Sequence, residues 1–119
     1  MITCTFYSQY GDFDYDLPER LLHVIEYILR KDDDVGFLFH ATDRFLGMAL
    51  CAIQLLKRGY PRKHIYLTYL GDEDSECIVS CLKRSFDRVV KMQGKEKLKW
   101  CIEHSDIFIT YLYEPMRIS

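Results

Sequence analysis

A chain of 119 residues is long enough for one compact domain and too short for two of ordinary size, so residues 1–119 are read as a single unit. Hydrophobic residues make up 49% and charged residues 29%, which supplies a core and a wet surface and excludes a disordered chain. A formal net charge of −2 with both signs interleaved excludes a general nucleic-acid or membrane-surface binder, and no apolar run reaches the roughly 20 residues of a membrane-spanning helix.

Taken in chain order, Ile2 to Tyr7 is rich in β-branched and aromatic residues and predicts a strand, followed by a polar loop, "SQYGDFDYD". Pro18 opens a helix in its first turn, with Asp16 as candidate cap. Leu21, Leu22, Val24, Ile25, Ile28 and Leu29 then recur at helical spacing. Asp32 to Asp34 read as a solvated turn. Val35 to Phe39 predict a buried strand, and the corner His40-Ala41-Thr42-Asp43 leads into a helix running to Lys57, with Gly59 and Pro61 marking its end. His64 to Leu70 predict a third strand. A short helix is expected within "GDEDSECIVSCLKRSF", then a minor strand at "RVVKM", a helix in "KEKLKWCIEHS" and a final strand from Asp106 to Tyr113.

Strands alternating with helices imply an α/β fold, a Rossmann-like three-layer sandwich with a mostly parallel sheet, truncated at the C-terminal end. Right-handed crossovers put the first strand near the middle, the second and third to one side and the last strand on the other. That reversal predicts a ligand crevice at the carboxyl ends of the first and last strands.

The five cysteines, Cys4, Cys51, Cys77, Cys81 and Cys101, each sit in an apolar segment. Met1 leads straight into strand-like sequence without a signal-peptide pattern, so reduced thiols in a cytoplasmic protein are expected, with Cys4 and Cys51 packing as small hydrophobes. Cys77 and Cys81 lie four apart on a predicted helix face, but no second ligand pair has matching spacing. No metal or cofactor is expected.

The segments "CTFYSQYGDF", "FLFHATDRFLGMALCAIQLLKRGYP", "HIYLTYL" and "KLKWCIEHSDIFITYLY" together resemble the SLOG superfamily, the Rossmann-like group that includes the Smf/DprA and Lonely-guy proteins, in its small single-domain bacterial members. The likeness spans almost the whole chain. It implies a nucleotide-type ligand, and it places Ser8, Gln9 and Tyr10 at the family's Gly-His-Arg loop, and His40 and Asp43 at glycine positions of the second loop. Lys97 stands at the family's late arginine, while Lys99 and Trp100 are retained. The Gly-Gly loop and helix that follow the last strand in many members are replaced by "EPMRIS", and the Pro-Gly-Gly-x-Gly-Thr pattern of the Lonely-guy phosphoribohydrolases is absent.

These departures bear on chemistry. Glycine lets a phosphate approach bare backbone N–H groups, whereas Asp43 adds bulk and a negative charge. One like-charge contact at roughly 4 Å and an effective dielectric of about 20 costs on the order of 4 kcal/mol, about a thousandfold in affinity. A neutral base, a ribose hydroxyl or a cation is tolerated better there. His40 beside Asp43 could form an acid–base pair; alternatively Asp43 or Thr42 caps the helix and His40 bonds to backbone. Lys97 and Trp100 could hold an anion and stack a base, or be a solvated lysine and a core ring. Tyr7, Tyr10, Tyr111 and Tyr113 cluster at two strand ends expected to be neighbours, where they could sandwich a base or form a subunit interface. Glu114 could accept ribose hydroxyls or act as a base. The candidate ligand-binding set is therefore Tyr7, Ser8, Gln9, Tyr10, His40, Thr42, Asp43, Lys97, Trp100, Tyr111 and Glu114, with no catalytic constellation.

Three expectations follow. The first is a nucleotide-binding protein without turnover, itself a homodimer and with no nucleic-acid or membrane partner. The second is hydrolysis of the N-glycosidic bond of a nucleoside monophosphate, using Glu114 and Lys97. The third is a ligand-free interaction module that pairs through its tyrosine-rich edge.

Overall fold

A computed structural model describes residues 1–8, 15–41, 43–72, 80 and 83–111 of the chain. Its elements are β1 (Ile2–Ser8), α1 (Leu17–Lys31), β2 (Asp34–Phe39), α2 (Arg44–Gly59), β3 (His64–Gly71), β4 (Arg88–Lys91), α3 (Glu96–His104) and β5 (Ile107–Tyr111). The strands form one sheet in the order β4-β3-β2-β1-β5, with every neighbouring pair parallel. This is the α/β, Rossmann-like arrangement that the strand–helix alternation predicts. The minor strand β4 continues outward beyond β3, and β5 returns to the far side of β1.

The reversal also sorts the helices. Successive steps from β1 to β3 in one direction put α1 and α2 on one face, and the return step to β5 puts α3 on the other. Strand side chains alternate accordingly. Cys4 and Phe6, Val35 and Phe37, and Ile65 and Leu67 join the core beneath α1 and α2. Leu38 and Leu70 join Cys101 of α3 in a smaller cluster on the opposite face. Phe6 centres the larger core, with ring centroids 5.7 Å from Phe37 and 5.4 Å from Phe39. Burying each such ring contributes about 1.5–3 kcal/mol relative to exposure.

Helix α1 buries Leu17, Leu21, Ile25, Ile28 and Leu29, the stripe that the spacing predicts, and carries Pro18 in its first turn. Val24 of that predicted stripe is exposed. Asp16 precedes the helix with φ −90° and ψ 4° and makes no capping hydrogen bond. A cap needs extended backbone to turn its side chain onto the first-turn amides, and Asp16 instead lies 3.9 Å from Arg20. Asp43 has that extended backbone, and its Oδ1 accepts the Leu46 N–H at 2.8 Å. Helix α2 runs through Gly59, two residues past the predicted end at Lys57. The Tyr60 N–H closes it by donating to the carbonyls of Leu56 and Lys57. The Tyr60 hydroxyl then donates to Glu26 of α1 at 2.9 Å and accepts from Arg30 at 3.2 Å, tying the two helices together. In the acidic turn, Lys63 reaches Asp33 at 3.0 Å and the Asp32 carbonyl at 3.2 Å.

Candidate functional site

Pairing between β1 and β2 ends at Thr5 opposite Leu38, whereas pairing between β1 and β5 continues to Ser8 opposite Tyr111. Beyond Thr5 the first two strands part. The Phe6 carbonyl faces the β2 side at that point, because the odd residues of β1 address β5, as the bond from the Asp106 N–H to the Thr3 carbonyl shows. The His40 ring fills the gap, with Nε2 3.1 Å from the Phe6 oxygen. A carbonyl can only accept, so Nε2 carries the proton and donates, which makes Nδ1 of the neutral ring an acceptor. No buried side-chain nitrogen or oxygen among the described residues lacks a partner, so Nδ1 of half-buried His40, which has no bond among those residues, keeps some solvent exposure.

Tyr7 stands beside His40 on the α3 face, with ring centroids 6.4 Å apart, and Thr110 is its register partner on β5. Tyr7, His40 and Thr110 therefore form a short row across three strand ends. Tyr111 does not join it. Strand alternation turns Tyr111 to the other face, where its ring is 6% exposed and stacks on Phe45 at 6.3 Å. The predicted neighbours are adjacent in backbone but separated by the sheet, and no tyrosine sandwich forms between Tyr7 and Tyr111. Ser8 is half-buried at the end of β1. Gln9, Tyr10, Thr42, Tyr113 and Glu114 lie outside the described residues.

At the β2–α2 corner, Asp43 holds the Leu46 amide and so occupies one of the donors an anion would need. His40 and Asp43 each bond to backbone rather than to one another, the structural alternative of the two that the sequence leaves open. Among the described residues only Gly94 has positive φ, so this corner offers no described left-handed turn of the kind that cradles phosphate.

Lys97 and Trp100 lie on α3. The Lys97 ammonium is 3.8 Å from Asp72, just past β3, and its side chain is 20% exposed. Its charge is already matched. Trp100 packs against the Leu38–Leu70–Cys101 cluster and stacks on His104, with centroids 3.9 Å apart and planes 15° apart. His104 also bonds through Nδ1 to the Trp100 carbonyl at 2.8 Å. The four-residue spacing on one helix face is the sequence signal for this pair.

The free thiols divide by environment. Burial pushes the Cys4 thiol up to about 12 and the Cys101 thiol up to about 11. Near them, Thr5 and Ser105 share a hydroxyl hydrogen bond that joins β1 to the end of α3. Cys51 is exposed, contrary to the packing role expected from its apolar segment. Helix α2 is apolar on most of its surface, and Met48, Cys51 and Leu55 form a second stripe that the inner stripe of Phe45, Ala49, Ala52 and Leu56 displaces outward. That outer stripe and Leu22 of α1 line a groove of about 640 Å³. The Cys77–Cys81 pair lies outside the described residues, and no group of three or more potential ligands among the described ones could hold a metal ion. No described helix is long and apolar enough to cross a membrane.

Fold and site define a Rossmann-like α/β protein in which His40 bridges to β1 where the winding reverses. Searches against protein-family models and curated proteins return no match for the chain.

Proposed function

We propose that the protein binds the nucleoside part of a nucleotide or nucleotide-derived molecule at the carboxyl ends of β1, β2 and β5, without turning it over. The observation that carries this reading is the His40 imidazole, whose bond to the Phe6 carbonyl leaves Nδ1 as an acceptor at the carboxyl end of β2. Ligands of open α/β sheets bind at such reversals. An acceptor there favours a ligand that presents an N–H donor, as an amino-bearing base such as adenine does. Asp43 disfavours a phosphate at the neighbouring corner, so the base and sugar contribute most of the affinity. Binding without turnover is supported by the engagement of His40 and Asp43 with backbone and of Lys97 with Asp72. The resemblance to the SLOG superfamily supports the same ligand class, and the free thiols suit a reducing, cytoplasmic setting.

Thermal-shift titration with adenosine, adenosine monophosphate and purine riboside tests the reading. Adenosine should raise the melting temperature, by mass action, at least as much as its monophosphate does, and purine riboside, which lacks the amino group, should raise it less. Failure of every nucleoside and nucleotide to shift the transition contradicts it. Release of free base from a nucleoside monophosphate, abolished in Glu114→Gln, would replace binding with hydrolysis.

A further inference from the structure

The two edges of the sheet are built differently. Strand β5 carries no charged residue, whereas β4, Arg88-Val89-Val90-Lys91, lies within a basic stretch. Residues 83–99 hold seven of the 16 lysines and arginines against Asp87 and Glu96 alone, a net +5 in a chain whose net charge is −2. The Asp87 carboxylate is already bonded to the Leu67 N–H at 2.8 Å, and Lys97 is matched by Asp72. Lys83, Arg84, Arg88, Lys95 and Lys99 are exposed, and none of them has a hydrogen bond, ion pair or ring contact among the described residues. The strand they flank is held in place. Phe86, just before it, packs against Phe39 and Tyr69 with ring centroids 5.4 and 5.3 Å apart. Val89 packs on the larger core and Val90 on the smaller cluster, which turns Arg88 to the α3 face. Among the described residues β4 pairs only with β3. The Met92 N–H donates to the Gly71 carbonyl, so strand alternation turns the even residues of β4 toward β3 and the backbone groups of Val89 toward the open side.

We propose that this edge binds an acidic peptide segment of another protein, laid along β4 as an added strand. Charge selects the occupant. Exposed cations on an edge deter a neutral or basic strand from pairing there, and a strand bearing Asp or Glu matches them. The Val89 backbone selects the conformation. An extended segment pairs with its N–H and carbonyl, while Arg88 and the cations before and after β4, Arg84 and Lys95, take carboxylates. A nucleic-acid strand would engage the same cations and leave that backbone unpaired, so the acidic peptide is the better match. This inference goes beyond the ligand-binding reading and stands independently of it.

Fluorescence anisotropy of the full chain tests the proposal, using a labelled peptide that alternates Glu with Thr, its Lys counterpart, its backbone N-methylated form and a labelled oligouridylate. The acidic peptide should bind, more weakly as salt rises, and the Lys and N-methylated peptides should not. Arg88→Glu should weaken binding by about tenfold or more, whereas Lys57→Glu, the same charge change near the end of α2, should leave it unchanged. Both side chains are exposed, circular dichroism checks that both variants fold, and Lys95→Glu replaces Arg88→Glu if that variant does not. The proposal is overturned if the acidic peptide does not bind, if its N-methylated form binds equally, if Lys57→Glu costs as much as Arg88→Glu, or if oligouridylate binds more tightly than the peptide.

Discussion

Asp16 and Asp43 are the same residue type in the same sequence context, one position before a helix, and only one of them acts as a cap. Asp43→Ala should destabilise the protein by about 1 kcal/mol in denaturant titration, and Asp16→Ala by no more than about 0.5 kcal/mol, since a surface ion pair contributes little. Asp43→Asn separates the two effects of that carboxylate. Asparagine keeps an acceptor for the Leu46 N–H, so stability should hold, while loss of the charge should strengthen binding of the monophosphate relative to the nucleoside. An unchanged ratio would remove Asp43 as the group that repels phosphate. The thiols give a pH test. Because the folded state raises Cys4 to about 12 and Cys101 to about 11 from 9.0, the unfolded chain loses these protons first on alkalinisation. Their contribution is complete below pH 9.0 and is lost as pH rises through about 11 for Cys101 and about 12 for Cys4, and Cys4→Ala should flatten the fall in a pH series of denaturant titrations. At neutral pH a thiol reagent should label exposed Cys51 well before buried Cys4 or Cys101.

Elements were legible where hydrophobic period and breaker residues agreed. The inner stripe of α1 leaves one face for the core and the structure buries it, while β3 buries Ile65, Leu67 and Tyr69 on one face and Leu70 on the other. Helix α2 was legible in extent but not in orientation. Two apolar stripes compete along it, and only packing against β1 and α1 decides that Cys51 and Leu55 face outward. Tyrosine spacing misled for a related reason. Tyr7 and Tyr111 lie near each other along the strand ends, but their register differs by one residue, and one residue is enough to reverse a side chain's face. The role of His40 depended on the point where β1 and β2 part, which no local pattern encodes. At the entry to α3, Gly94 has φ +58° with open space where a Cβ would lie. Gly94→Ala should therefore cost about 1–2 kcal/mol through backbone strain alone, read by denaturant titration, and no loss would mean that the turn relaxes.

The strand order follows from a short rule applied to the whole chain. Right-handed crossovers place consecutive strands side by side, β4 extends beyond β3, and β5 returns to the vacant side of β1. The strand ends proposed to bind the ligand and the uncharged edge come from the same reversal: β1 acquires neighbours of different reach, and β5 becomes an outer strand. A nuclear magnetic resonance titration of isotope-labelled protein with adenosine tests this account most directly. The predicted result is a set of shifted amides confined to Phe6, Tyr7, Ser8, His40, Ala41 and Thr110. Shifts gathered instead along the groove lined by Leu22, Met48 and Leu55, or a spectrum that adenosine leaves unchanged, would contradict it.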